Sequence, residues 1–361
     1  MSDEIKIASS ATSSKRHIIT PVFGKYVTRN VGFVNHLRAI REQINNYISK
    51  VSVRRPLNIL LAAPPGSGKS FLIKQLIESL ETTNSELEVS FEEIYVASLE
   101  GISDLYNIFQ RVQSLNLGGK LPVVFFDEID TEVNGQALYP KFLAPMWDGT
   151  FYIGKDKHYL GRSIFFFAGS TLSQEEDSKH ILDNWNDPTP MSYEQYYSEW
   201  ETRFQKWCEA SNGKDPKTIK LLDFMDRIDA IIRIPPLHKA LLSEELLQME
   251  YEDIVFMLIR KHFPKANNIG KAATEVLTQF LTNSRSMRPV EKLIFSANQS
   301  DPDTFDISCL PARTQESLTD LEACLVNGRE REIFSIEVKK PSSVRTPLKR
   351  LRLKRYTRPR R

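Results

Sequence analysis

Four residues have the types and spacing for chemistry: Lys69 and Ser70, just after two glycines, and Asp127 and Glu128, at the end of an apolar run. The first pair closes the stretch Ala62-Ala63-Pro64-Pro65-Gly66-Ser67-Gly68-Lys69-Ser70. An apolar run at 57–61 precedes it, and residues 71–80 follow with apolar positions at helical steps and no Pro or Gly. Strand, glycine-bearing loop and helix in that order make a phosphate cradle, in which backbone N–H groups and the positive end of the helix face the anion. In such a cradle Lys69 reaches the β- and γ-phosphates and the Ser70 hydroxyl ligates Mg²⁺. The candidate nucleotide contacts are therefore Pro65, Gly66, Ser67, Gly68, Lys69, Ser70 and Phe71. The position of the motif's first glycine is Ala63, which still permits close approach.

The second pair narrows the chemistry. A carboxylate at the tip of a strand beside the loop can hold the metal through water, and a second acid can deprotonate a water for in-line attack. Asp127 takes the metal role and Glu128 the water. Phosphoryl transfer to a small molecule needs no second acid there, so the pair favours hydrolysis. Asp130 reads as surface or helix-cap chemistry.

Positioning these residues takes a sheet. Apolar runs at 57–61, 94–97, 121–128, 163–168 and 228–234 predict five strands, alternating with helices over 34–48, 71–80 and 101–115. Near-continuous apolar strands between helices indicate a parallel α/β sheet covered on both faces. The segment 172–222 is rich in acids, Trp and Tyr, and 192–209 suits a helix with exposed aromatics. It is either an insertion that meets a partner or a longer helix of the same layer. From Leu241 the pattern becomes helical throughout. Tyr251, Ile254, Val255, Leu258 and Ile259 share one face, as do Ala273, Val276, Leu277, Phe280 and Leu281, and a third helix carries Met287, Val290 and Ile294. The expected organisation is a flexible arm over 1–30, the nucleotide-binding domain over 31–240 and a small all-helical lid over 241–300. A mixed extension follows over 301–338, with a possible helix at 315–326 and a strand at 333–338, and a basic tail over 339–361.

Bulk composition sets limits. The chain of 361 residues is 41% hydrophobic and 26% charged, ordinary for a globular protein. No apolar run approaches the ~18 residues of a membrane span. The first 14 residues lack the apolar centre of a secretory signal. Cys208, Cys309 and Cys324 are an odd set with no paired spacing, and the six histidines form no ligand pattern. A cytoplasmic setting follows, or a nuclear one in a eukaryotic host. The tail holds 11 of the 48 lysines and arginines and no acid, which leaves 37 basic against 46 acidic side chains, a net of −9, on the first 338 residues.

Two stretches carry a family resemblance. Pro-Pro-Gly-Ser-Gly-Lys-Ser at 64–70 and Val-Val-Phe-Phe-Asp-Glu-Ile-Asp at 123–130 resemble the Walker A and Walker B motifs of the AAA+ ATPases. The resemblance spans roughly residues 31–298. It implies ATP and Mg²⁺ as ligands and a site at the subunit boundary of a homo-oligomeric ring, usually a hexamer. It further implies a polar sensor at Gly169-Ser170-Thr171, either Ser170 or Thr171, and an arginine finger, Arg227, within 224–229. A second sensor at the start of a lid helix would be Arg288, with Arg285 as competitor, and Val31 and Gly32 would contact adenine through the backbone. The aromatic–aliphatic–Gly pore loop of protein unfoldases has no counterpart in Ser98-Leu99-Glu100-Gly101-Ile102-Ser103.

The resemblance thus implies an ATP-hydrolysing machine that remodels a protein or nucleic-acid client. The rival is a nucleotide-dependent switch or scaffold that oligomerises on ATP, with slow hydrolysis as a timer. The basic tail suits a nucleic acid or another polyanion.

Overall fold

The computed structural model describes residues 14–50, 52–64, 66–83, 86–284, 287–311 and 333–338. Pro65 and Arg285, the helix expected over 315–326 and the basic tail lie outside the described residues. The chain divides into two units, one of which holds Thr28–Leu247 while the other combines Met1–Val27 with Gln248–Ser342.

The first described element, β1 (Ser14–Ile19), falls in the arm expected to be irregular. Its partner strand lies near the other end of the sequence, so no local pattern announces it. Then α1 (Val31–Ile48) begins at Asn30, whose side chain accepts the Phe33 N–H at 3.0 Å, and it buries Phe33, Leu37, Ile40, Ile44 and Tyr47 at steps of three and four.

The next elements alternate as the apolar pattern requires: β2 (Leu57–Ala62), α2 (Lys69–Thr83), β3 (Val89–Tyr95), α3 (Ile102–Leu117) and β4 (Leu121–Asp127). The second strand of the sheet, expected at 94–97, is β3 instead. It is an edge strand with half-exposed Glu92 and Glu93, so an apolar run does not mark it, and Val96–Ser98 turn into a short 3₁₀ helix. After α4 (Tyr139–Asp148) comes a hairpin that the apolar pattern also missed, β5 (Thr150–Ile153) and β6 (Asp156–Tyr159). Its two-residue turn begins at Gly154, whose φ of 62° suits the first turn position of a tight hairpin. The unit ends with β7 (Ile164–Ala168), α5 (Glu175–Asp183), α6 (Tyr193–Ser211), α7 (Leu221–Met225) and β8 (Ala230–Arg233).

Five strands pair in parallel in the order β3-β4-β7-β2-β8. Every residue of β2, β7 and β8 is buried, which explains why their sequences run apolar without alternation. On one side Phe126 stacks on Phe167 at 5.5 Å and meets Phe142 of α4 edge-on at 4.9 Å. Each such buried ring contributes roughly 2–3 kcal/mol of transfer free energy.

The aromatics of α6 are not exposed as its sequence suggested. Tyr193, Tyr196, Trp200 and Phe204 face inward, and Tyr196 and Trp200 pack on the side chain of Arg233, itself only 1% exposed. Its Nε donates to Tyr196 Oη at 3.0 Å, one terminal nitrogen to the Ser173 carbonyl at 2.8 Å and the other to Ser178 Oγ, while its guanidinium lies 5.0 Å from the Trp200 ring. Among the described residues no carboxylate pairs with it.

The second unit takes up the chain within α8 (Glu244–His262) and continues through β9 (Asn268–Gly270), α9 (Lys271–Ser284), α10 (Arg288–Phe295), β10 (Thr304–Phe305) and β11 (Ile333–Val338). A four-stranded sheet in the order β1-β11-β9-β10 accompanies the three helices. His17 of β1 approaches Asp253 of α8 at 2.7 Å and sets its ring edge-on to Phe256.

Candidate nucleotide site

The loop after β2 has the backbone that its glycines permit. Gly66 and Gly68 take φ of 76° and 84°, a region cheap only for glycine, and Ala62 and Ala63 before them are fully buried. The loop closes on itself through Ser67 N–H to the Pro64 carbonyl at 3.3 Å. Lys69 opens α2 and folds back over the loop, donating to the Ala63 and Pro64 carbonyls at 3.3 and 3.5 Å. Ser67 Oγ is buried with no hydrogen-bond partner, and such an orphaned group favours a ligand that would satisfy it.

The acid pair ends the strand two places away in the sheet. Asp127 is the last residue of β4, and its Oδ1 accepts the Glu128 N–H at 3.1 Å. Glu128 has φ of 58°, a left-handed conformation that costs a non-glycine residue on the order of 1 kcal/mol and that clusters at functional sites. The Ile129 N–H reaches the Ala168 carbonyl at 2.9 Å and ties this tip to β7. Burial lifts the Asp127 carboxyl above its ordinary value; Lys69 pulls it down, while Glu128 and Glu93 push it up. Lys69, Glu128 and Glu93 thus all lie close enough to act on Asp127.

Two residues not marked as functional in the sequence are part of the site. Glu93 of β3 accepts the Ser70 hydroxyl at 2.5 Å on Oε1 and Lys74 Nζ at 3.0 Å on Oε2. Burial raises the Glu93 carboxyl, but those two hydrogen bonds outweigh it and hold the group below its ordinary value. The strand register supplies the signal, since Tyr95 pairs with Asp127 and places Glu93 two residues before the acidic tip. Asp130 is not idle surface either. Its Oδ2 accepts the Thr171 N–H at 2.7 Å, the Thr171 hydroxyl and, at 3.4 Å, Ser170 Oγ. A Cβ on Gly169 would come within 2.6 Å of Asp130, so only glycine allows this approach. The turn after β7 is thus held by the acid from the β4 tip, with the Thr171 hydroxyl bonded to it and Ser170 more loosely held.

The remaining candidates sit elsewhere. Val31 is 71% exposed at the start of α1. At Gly32 a Cβ would lie 2.6 Å from Tyr193 Cβ and 3.0 Å from the Glu194 carboxylate, so close packing of α6 accounts for this glycine. Arg227 precedes β8, its backbone carbonyl accepting from Asn58 Nδ2 at 3.1 Å near the beginning of β2. From there to the loop is roughly 13 Å along the strand, so Arg227 does not serve its own chain's loop. Its guanidinium is engaged with the Leu143 carbonyl at 3.2 Å and with that of Asp223. Arg288 is the exposed first residue of α10, in the other unit.

Ser70, Asp127, Glu128 and Glu93 offer hard oxygen donors of the kind that Mg²⁺ takes. Among the described residues no group of three or more His, Cys, Asp and Glu side chains is arranged to hold a metal alone. The arrangement fits a Mg²⁺ shared with phosphate oxygens and water, its ordinary mode in nucleotide sites. Among the described residues, no helix is long and apolar enough to cross a membrane.

Comparison with known proteins gives a short match and a distant one. No curated protein sequence matches the chain. In structure it is similar to NtrX from Brucella abortus, solved in complex with ADP, at 14% identity and a TM-score of 0.42, over 84% of this chain. The aligned part spans 60% of the NtrX chain. The family model of the ATPase family associated with various cellular activities (AAA) matches residues 59–139. That match begins inside β2, runs through the glycine loop and passes the acidic tip of β4, so it is over the elements of the candidate site that the chain is similar to that family.

Proposed function

We propose that this protein binds ATP with Mg²⁺, hydrolyses it, and uses the cycle to remodel a protein or nucleic-acid client from within a homo-oligomeric ring. The observation that carries the hydrolytic reading is the strained Glu128 beside Asp127, in electrostatic contact with Lys69. The Gly66–Ser70 N–H groups and the start of α2 receive the phosphates. Lys69 exchanges its two loop carbonyls for phosphate oxygens. Ser70 and Asp127 hold the cation, which neutralises charge as the γ-phosphoryl group departs. Glu128 takes a proton from the attacking water, and Ser170, the less engaged of the two sensor candidates, orients it.

Arg227 enters a neighbouring subunit's site by exchanging its carbonyl partners for phosphate. For Arg288, the adenine contact at Val31, the ring of six and the tail's polyanion, the support is the family resemblance or the composition alone. The client itself is set by surfaces that the fold does not specify.

The switch reading has one observation in its favour: Arg227 is engaged by its own chain, which suits slow basal hydrolysis. Measuring ATP turnover and particle size with and without ATP, nucleic acid and candidate proteins decides between them. Strong stimulation by a client supports the machine. ATP-dependent assembly with turnover that no client raises supports the switch. A strict monomer with full activity rules out the shared site.

A further inference from the structure

We propose that Glu93 positions the metal-binding hydroxyl of this site, a role that rests on the Mg²⁺–nucleotide reading above. A serine hydroxyl has one proton and two lone pairs. Ser70 gives its proton to Glu93 Oε1 at 2.5 Å, which leaves the lone pairs free for a cation and fixes their direction. A hydrogen bond to a carboxylate also makes the oxygen a better donor, as with the outer partners of other metal ligands.

Glu93 is itself fixed. Lys74, one turn after Ser70 on the same helix, holds Oε2 at 3.0 Å, so α2 grips both carboxylate oxygens. Lys74 Nζ also lies 5.7 Å from the centre of the Phe91 ring, two residues earlier on β3. The carboxylate adds a third negative charge to those of Asp127 and Glu128, and its field reaches Asp127. The Ser70 hydroxyl thus donates to Glu93, and Asp127, whose Oδ1 accepts the Glu128 N–H, is left to meet metal-bound water.

The test uses the full-length protein and a fluorescent ADP analogue, titrated first in EDTA and then with Mg²⁺. Wild type, Glu93→Ala, Glu93→Gln and Lys74→Met are compared, with thermal melts as a folding control. In EDTA the Glu93 variants, which lose a negative charge beside the phosphates, bind the analogue as tightly as wild type or tighter, so the metal requirement and not nucleotide affinity is the readout. With Mg²⁺, the half-saturating metal concentration rises on the order of 10–100-fold in Glu93→Ala. Glu93→Gln, which keeps an acceptor without the charge, falls between, and Lys74→Met shifts by a few-fold. An unchanged Mg²⁺ requirement in Glu93→Ala overturns the inference, and so does a lowered one, which would make Glu93 a competitor of the metal. If wild-type binding ignores Mg²⁺ altogether, the nucleotide reading fails first and this inference fails with it.

Discussion

The two ends of the central sheet use the same residue types to opposite ends. At the start of β2 and β8, Asp229 accepts Arg55 on both oxygens at 2.7 and 2.9 Å and the Asn58 N–H at 2.9 Å. Tyr47 Oη sits between the Arg55 and Ser163 carbonyls, at 2.7 and 2.8 Å. Two neutral oxygens there, Asn58 Oδ1 and Ser163 Oγ, lack partners, but both charges of the Arg55–Asp229 pair are met. At the far end of the sheet, Lys69 donates to two loop carbonyls, Asp127 feels Lys69 against Glu128 and Glu93, and Glu128 holds a costly backbone angle. The first end pairs one arginine with one aspartate, whereas at the second Asp127 meets two like charges as well as Lys69. The first arrangement stabilises; the second gives up stability for binding.

The sharpest way to break that contrast is at Glu128. Glu128→Gln retains nucleotide but loses about 100-fold or more in turnover; unaltered steady-state hydrolysis would remove the residue from the reaction. Next, Asp229→Ala strands Arg55 and the Asn58 N–H and costs about 2–3 kcal/mol in denaturant unfolding, with ADP affinity of the folded protein unchanged. Weaker ADP binding without lost stability would show that the two ends are not separate in role. Asp130→Ala frees the Ser170–Thr171 turn, for which we expect a roughly tenfold fall in turnover and a loss of about 1 kcal/mol in stability. Turnover that survives this change would confine Asp130 to holding the turn. Smallest of all, Glu128→Gly relieves the left-handed backbone and raises stability by up to about 1 kcal/mol while abolishing turnover. A protein destabilised by that change would show that Glu128 is held for folding rather than for chemistry.

What the sequence reveals of this site is what lies close together along the chain. Gly66, Gly68, Lys69 and Ser70 are consecutive or nearly so, and Asp127-Glu128 ends an unbroken apolar run, so motif and strand coincide. Glu93 and Asp130 act across the sheet instead. Glu93 matters because β3 pairs with β4 in one register, and Asp130 because Ile129 is tied to the end of β7. Neither register can be read from a polar edge strand or a short turn. The pairing of β1 with β11 joins the two ends of the chain and leaves no local periodicity to detect. The α6 aromatics show the reverse failure: their helical spacing is plain, but their inward direction depends on a buried arginine that looks like the polar end of a strand.

That arginine also says something about the history of the segment 172–222. Arg233 pairs in register with Ala62, the last residue before the loop, and its ligands come from Ser173, Ser178 of α5 and Tyr196 of α6. Removing either helix alone would leave a guanidinium in an apolar interior without enough partners, at a cost of several kcal/mol. The segment is therefore not an appendage that could be gained or trimmed in single steps. Arginine, serines and aromatics had to become interdependent, and a chimera that transplants this region between related chains must carry Arg233 with it.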